Sequence, residues 1–247
     1  MVNFRNLVGS ILDWIYPPAC VSCGEPGKLL CDDCFSKLPP VGAHYCSKCG
    51  KPLKEGRLCR LCNASDFSFE CSRAPYLYDG PAAAMIKKLK YNGCLSLVPI
   101  LSDLLKEYWD GLDWKIDLVI PVPLSEQRRA QRGFNQSELI GKAFSAKAGL
   151  TCLPRALMKC RHTSTQVGLN REERRENLKG AFAAEDILVR GKRVLLLDDV
   201  MTTGSTFAEC SAVLLNAGAR SVNCLSVATA SAEHGIQNML DAQQRGQ

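Results

Sequence analysis

The chain has 247 residues, enough for one α/β domain and a small appendage. It is 46% hydrophobic and 23% charged, with a formal charge of +6. That composition excludes a disordered or fibrous chain and suits anionic ligands. No apolar run reaches the roughly 18–20 residues of a membrane span, and residues 1–16 lack the apolar core and cleavage site of a signal peptide, so a cytoplasmic protein with no membrane span is expected. Fourteen cysteines are many for a reducing compartment, where paired cysteines are more often metal ligands than disulfides.

Residues 1–18 open the chain. Phe4, Leu7, Val8, Ile11, Leu12 and Ile15 recur at helical spacing and Pro17 and Pro18 end the run, which predicts an amphipathic helix packed on its own protein. Residues 19–66 form a cysteine-rich module with four Cys-x-x-Cys pairs: Cys20/Cys23, Cys31/Cys34, Cys46/Cys49 and Cys59/Cys62. Two pairs complete a tetrahedral set of thiolates, the arrangement structural zinc prefers, so two Zn2+ sites are expected. The short gaps within successive couples favour sequential pairing, and spacing alone leaves an interleaved arrangement open. Disulfides and an iron–sulfur cluster are the competing readings. Four thiolates leave no open metal position, so the role is structural, and zinc is expected to fold a segment with so little core of its own. Lys48, Lys51, Lys54, Arg57 and Arg60, with Tyr45, permit nucleic-acid contact, although no aromatic platform for stacking bases is present. Cys210 and Cys224 fall at apolar-face positions and are expected in the core.

A short link at 63–70 leads into a second domain, expected over 70–230. Helices are predicted at 82–89, 99–109 and 207–216, the last ending at Gly218, and another is marked by Leu139, Ile140, Ala143 and Phe144. Buried strands are predicted at 116–122, 193–197 and 221–229. The alternation argues for an α/β fold, a parallel sheet covered on both faces. Residues 231–247 read as a polar tail.

The strand at 193–197 ends in Asp198 and Asp199. Met201, Thr202, Thr203, Gly204, Ser205 and Thr206 follow, and then a helix begins. Ligands of open α/β sheets bind beyond the carboxyl ends of strands, where loop N–H groups, hydroxyls and a helix N-terminus make a phosphate site. Two carboxylates would repel a phosphate they touched, so they fit one step away, accepting hydrogen bonds from sugar hydroxyls. Pro121, Val122, Pro123 and Leu124 close the first strong strand in a similar place. Arg128, Arg129 and Arg132 follow it, either as phosphate contacts or as a solvated basic face. Residues 161–177, with Arg161 and Gln166, mix both charges. His162 reads as a surface residue, and no catalytic residue is assigned.

The string 194–206 resembles, at every position, the 5-phosphoribosyl-1-pyrophosphate (PRPP) signature of type I phosphoribosyltransferases. The motif order is similar to the ComF/GntX family over nearly the whole chain: the cysteine pairs, residues 120–124, Arg132-Gly133-Phe134-Asn135-Gln136, Asn177-Leu178-x-Gly180-Ala181-Phe182, and the PRPP loop. The resemblance implies a type I phosphoribosyltransferase fold behind a double zinc ribbon. It implies PRPP as ligand or substrate with Mg2+, and a setting in DNA uptake, DNA utilisation or nucleobase salvage. Asp198 and Asp199 then hold the ribose, residues 201–206 the 5-phosphate and residues 121–124 the pyrophosphate. Residues 161–177 form a lid, and a base-specific hood is expected at 76–92. Glutamine-driven amination is not expected, because a zinc module stands where related amidophosphoribosyltransferases carry a glutaminase domain. The alternative is a non-catalytic PRPP sensor whose zinc module contacts single-stranded DNA or competence-machinery proteins.

Overall fold

A run such as Val194–Leu197, apolar at every position, is stable as a strand only when both sheet faces are covered. The computed structural model, which describes residues 18–65, 67–160 and 180–231, shows that arrangement. Its strands are β1 (Ser72–Arg73), β2 (Tyr76–Leu77), β3 (Leu118–Pro121), β4 (Thr151–Cys152), β5 (Leu157–Lys159), β6 (Phe182–Ala184), β7 (Arg193–Met201) and β8 (Ser221–Thr229). Its helices are α1 (Asp32–Ser36), α2 (Arg60–Asn63), α3 (Gly80–Asn92), α4 (Leu97–Asp110), α5 (Glu126–Arg132), α6 (Gln136–Ala148), α7 (Asp186–Val189) and α8 (Ser205–Asn216). The main sheet is parallel in the order β1-β8-β7-β3-β4, with β2 continuing the β1 edge against β8. A small antiparallel pair, β5 and β6, lies apart. The expected helix at 1–18 and the tail at 232–247 lie outside the described residues. No helix among the described residues is long and apolar enough to cross a membrane.

Alternate residues of β7 serve different cores. Leu195 and Leu197 pack with α3, α4 and α6 through Met85, Leu101 and Phe144. Val194 and Leu196 pack with α8 and the β5–β6 pair through Phe207, Leu157 and Phe182. Cys210 and Cys224 are fully buried here, as their positions predicted.

The described helices are joined in both layers by the cysteine-rich module. Cys20, Leu30, Cys34 and Leu38 of the first cysteine pair-set join the first core, and Cys46, Cys49 and Cys62 of the second join the other. The segment at 63–70, expected to be a link, is part of this packing. Phe69 is fully buried, and Phe67 is stacked on it at 5.1 Å. A connection dragging two phenyl rings is more stable folded onto apolar surface than left in water.

The same module closes the sheet edge. Leu77 N–H donates to Pro39 at 2.8 Å and Val41 N–H to Pro75 at 3.0 Å, while Ser72 N–H donates to Lys48 at 2.7 Å. Arg73 Nη1 adds a bond to Ser47 at 3.0 Å. An edge strand left open would offer these groups to another chain. At the other end of the sheet, Asp117 takes three bonds from Arg193, from its main-chain N–H and its guanidinium, which fixes where β7 starts.

Two predictions follow from these contacts. A Cβ at Gly50 would lie 2.4 Å from Ser72 O on a backbone with φ +70°. Gly50→Ala should therefore lower stability by about 2 kcal/mol or more in urea denaturation, because strained φ and a backbone clash add. The Arg193 guanidinium beside Asp117 holds its carboxyl well below the usual value of 3.8. A depressed carboxyl contributes stability above that ordinary value and loses it as pH falls below. The gap in urea midpoint between the natural protein and Asp117→Asn should be present at neutral pH and shrink below pH 3.8.

Candidate functional site

Each Cys-x-x-Cys has one of two local forms. Cys20 and Cys46 open turns in which Gly24 and Gly50 donate back to their carbonyls at 2.8 Å. Cys31 and Cys59 instead sit at the N-caps of α1 and α2, each sulfur accepting from the N–H three residues on, at 3.4 Å. Each cluster joins one turn to one helix start. Cys20, Cys23, Cys31 and Cys34 form the first, and Cys46, Cys49, Cys59 and Cys62 the second, with all four sulfurs within 4.8 Å of one another. The pairing is therefore sequential. Sulfur separations of 3.6 Å for Cys23–Cys31 and 3.7 Å for Cys49–Cys59 match the edge of about 3.8 Å expected of a tetrahedron with Zn–S bonds of about 2.3 Å. Burial drives the Cys49 thiol up to about 12; at Cys46, N–H groups of Cys49, Cys59 and Lys48 outweigh burial and bring it down to about 7. Four such sulfurs are all thiolate only on a cation, and these are two zinc-binding sites.

β7 does not stop before the acids; it runs through them to Met201. Asp199 is 3% exposed, and its Oδ2 lies 2.6 Å from Lys90 Nζ of α3. Asp198 Oδ1 accepts from Ser137 Oγ of α6 at 2.6 Å and from Asp199 N–H at 2.9 Å. Burial, helped by the neighbouring Asp199 charge, pushes the Asp198 carboxyl up to about 7, against the opposing pull of Ser137 and Lys90. Burial would discharge Lys90, but the charges of the two aspartates offset it and hold its pKa above the ordinary lysine value.

Beyond Met201 the chain turns at Gly204, where φ is +80°. Gly204 is the N-cap of α8 and has no side chain to cap it, so the first N–H groups of α8 open toward the loop. Thr203 Oγ1 and Ser205 Oγ are 2.9 Å apart, and Ser205 N–H donates to Thr203 Oγ1. Thr202 is exposed and Thr206 half-buried. Hydroxyls, N–H groups and a helix N-terminus thus converge a few residues past two carboxylates. Phe67 stands behind this turn: a Cβ on Gly204 would meet its ring at 3.8 Å.

Residues 121–124 end β3 alongside β7, as expected of a second strand-end loop. Pro121 and Pro123 have no N–H, and that of Val122 is bonded to Leu197 O at 2.8 Å, which leaves Leu124 as the main-chain donor. Asn135 Nδ2 holds Val122 O at 3.0 Å while its Oδ1 caps α6. The arginines of α5 divide. Arg132 bonds Gln136 Oε1 at 2.5 Å and lies 5.7 Å over the Tyr91 ring, beside Lys90. Arg129 pairs with Glu138 at 3.4 Å and lines a cleft of about 870 Å3 on the β4 side. That cleft touches Pro121, Pro123 and Leu124 but none of the acids or residues 201–206. Arg128 is exposed, and Arg161 and Gln166 lie outside the described residues. The expected hood at 76–92 is largely β2 and α3, with Ala82, Met85, Ile86 and Leu89 buried in the core.

Lys90, Ser137 and Phe67 were missed as site residues. Lys90 had one signal: Ala82, Ile86 and Lys90 share an i, i+4, i+8 stripe, which places a cation at the end of an apolar face. Removing the Phe67 ring should cost about 3 kcal/mol, as core Phe→Ala changes do. Phe67→Ala should therefore lower the urea midpoint and speed amide exchange in residues 201–206, with the zinc content unchanged.

A phosphoribosyl transferase domain family matches residues 93–241, and a double zinc ribbon domain family matches residues 11–63. The DNA utilization protein YhgH of Escherichia coli O157:H7 is 33% identical over 217 residues, covering 83% of this chain and 94% of that protein. Competence protein F of Haemophilus influenzae is 31% identical over 81% of this chain and 90% of its own. Among solved structures, orotate phosphoribosyltransferase of Francisella tularensis shares 15% identity at a TM-score of 0.35, over 70% of this chain and 86% of that one. The chain belongs to the ComF/GntX family, in which a double zinc ribbon precedes a domain of the type I phosphoribosyltransferase fold.

Proposed function

We propose that the protein binds PRPP with Mg2+ and transfers its phosphoribosyl group to a nitrogen acceptor, in the DNA-utilisation setting that its relatives' names describe. The observation that carries this reading is the convergence, at the end of β7, of the half-buried Asp198 and the buried Asp199 with the uncapped start of α8. The 5-phosphate takes the N–H groups and hydroxyls of residues 202–206, where no carboxylate opposes it. The ribose hydroxyls donate to Asp198 and Asp199, which have only acceptors to offer when ionised. The pyrophosphate lies toward residues 121–124, with Arg132 over the Tyr91 ring of α3 and Arg129 on the side of the cleft. Mg2+, when bound with the ligand, neutralises phosphate oxygens.

In the transfer, the bond from C1 to the pyrophosphate oxygen breaks and a bond from C1 to the acceptor nitrogen forms, and that nitrogen loses its proton. Positive charge grows on the sugar between those events. The buried carboxylates beside it stabilise that charge, and the loops fix the geometry. The reaction needs no covalent nucleophile from the protein.

Calorimetric titration of PRPP with Mg2+ into the zinc-loaded protein should give one binding event. An Asp198→Asn, Asp199→Asn variant should weaken it at least tenfold, the scale of losing charge-assisted hydrogen bonds of about 1.5–3 kcal/mol each. Binding would justify screening nucleobases for pyrophosphate release. Equal binding by both proteins, or none by the natural one, would rule the reading out.

A further inference from the structure

Lys90 is a lysine in an unusual place. It lies at the C-terminal end of α3, whose Ala82, Met85, Ile86 and Leu89 are buried, and only 18% of its side chain is exposed. Its Nζ is 2.6 Å from Asp199 Oδ2, on a side chain that is itself 4% exposed. That oxygen accepts no aligned hydrogen bond from any described residue, so the contact is one of charge. Asp198, next in the chain, is held by Ser137 Oγ and Asp199 N–H, neither of which carries charge. Tyr78 is the other titratable neighbour; burial raises its phenol above the ordinary value, so it stays neutral. Among the described residues, Lys90 is therefore the cation that contacts Asp199, the buried member of two adjacent acids.

Two such carboxylates without a cation are the usual start of a divalent-metal site, since hard cations take carboxylate oxygens. Here an ammonium lies 2.6 Å from one of the two carboxylates. We propose that Lys90 is a built-in counter-ion: it holds Asp199 in place and keeps free divalent metal out, so that metal reaches the site only on the polyphosphate ligand. This rests on reading the acid pair as the ribose site. It makes Lys90 a positioning residue, acting through Asp199. Ribose hydroxyls can then be met by an aspartate already aimed.

The test uses the full-length, zinc-loaded protein and Mn2+ alone, with free Mn2+ followed by electron paramagnetic resonance. No PRPP is present, so a protein that fails to bind PRPP can still pass, and the two readings fail separately. The natural protein should bind no Mn2+ at the acid pair across the millimolar range. Lys90→Met should bind one Mn2+ at least tenfold more tightly, Lys90→Arg should behave as the natural protein, and Lys90→Met with Asp199→Asn should lose the new site. The idea is overturned if Lys90→Met gains no site, or if the gained site survives loss of Asp199. It is equally overturned if the natural protein already binds one Mn2+ that Asp199→Asn abolishes. This last measurement needs no Lys90 variant and stands even if Lys90→Met fails to fold.

Discussion

Both faces of a parallel sheet must be kept from water, and here the described helices share that task with the zinc ribbons. Val194, Leu195, Leu196 and Leu197 have no exposed surface although their side chains alternate between two cores. The zinc ribbons complete both layers, one on each side, and their main chains occupy the open edge at β1 and β2. A module that looks like an appendage in the sequence is thereby part of the domain's core. Each ribbon brings four cysteine sulfurs within 4.8 Å of one another, so its short loops meet at the zinc-binding site.

That packing has a consequence for the ligand loop. The second ribbon reaches the loop through Phe69 and Phe67, and Phe67 lies behind Gly204, where the backbone turns into α8. Ser72, bonded to the ribbon at Lys48, also donates from its hydroxyl to Met201 Sδ at 3.2 Å. Two apolar rings and a neutral hydroxyl thus back the turn into α8 without placing a charge there.

Electrostatics at the strand end follow from the same burial. Placing Asp198 on a core strand beside Asp199 strips it of water and sets a like charge next to it, which pushes its carboxyl up. Lys90 and the Ser137 hydroxyl oppose that effect. The acids are thus held by partners from α3 and α6, two helices of the layer that also covers Leu195 and Leu197.

Much of this was readable in the residues. The eight ligating cysteines, the parallel α/β core, β8 to its exact ends, and the loop after paired acids all depend on local spacing or on an unbroken apolar run, which a sequence displays directly. Sequential zinc pairing was favoured by spacing and settled by the structure, whereas the burial of Phe67 and Phe69 and the contact of Lys90 with Asp199 had no such local display. The link at 63–70 carried no periodicity because its two phenyl rings answer to the ribbon and to α8 rather than to a repeating face. Lys90 sat in a run of lysines that looks solvated, and only the packing of α3 against the sheet turned one of them inward. Local chemistry names which groups can bind. Which charge meets which depends on how distant elements are brought together to exclude water, and that was decided by the tertiary structure.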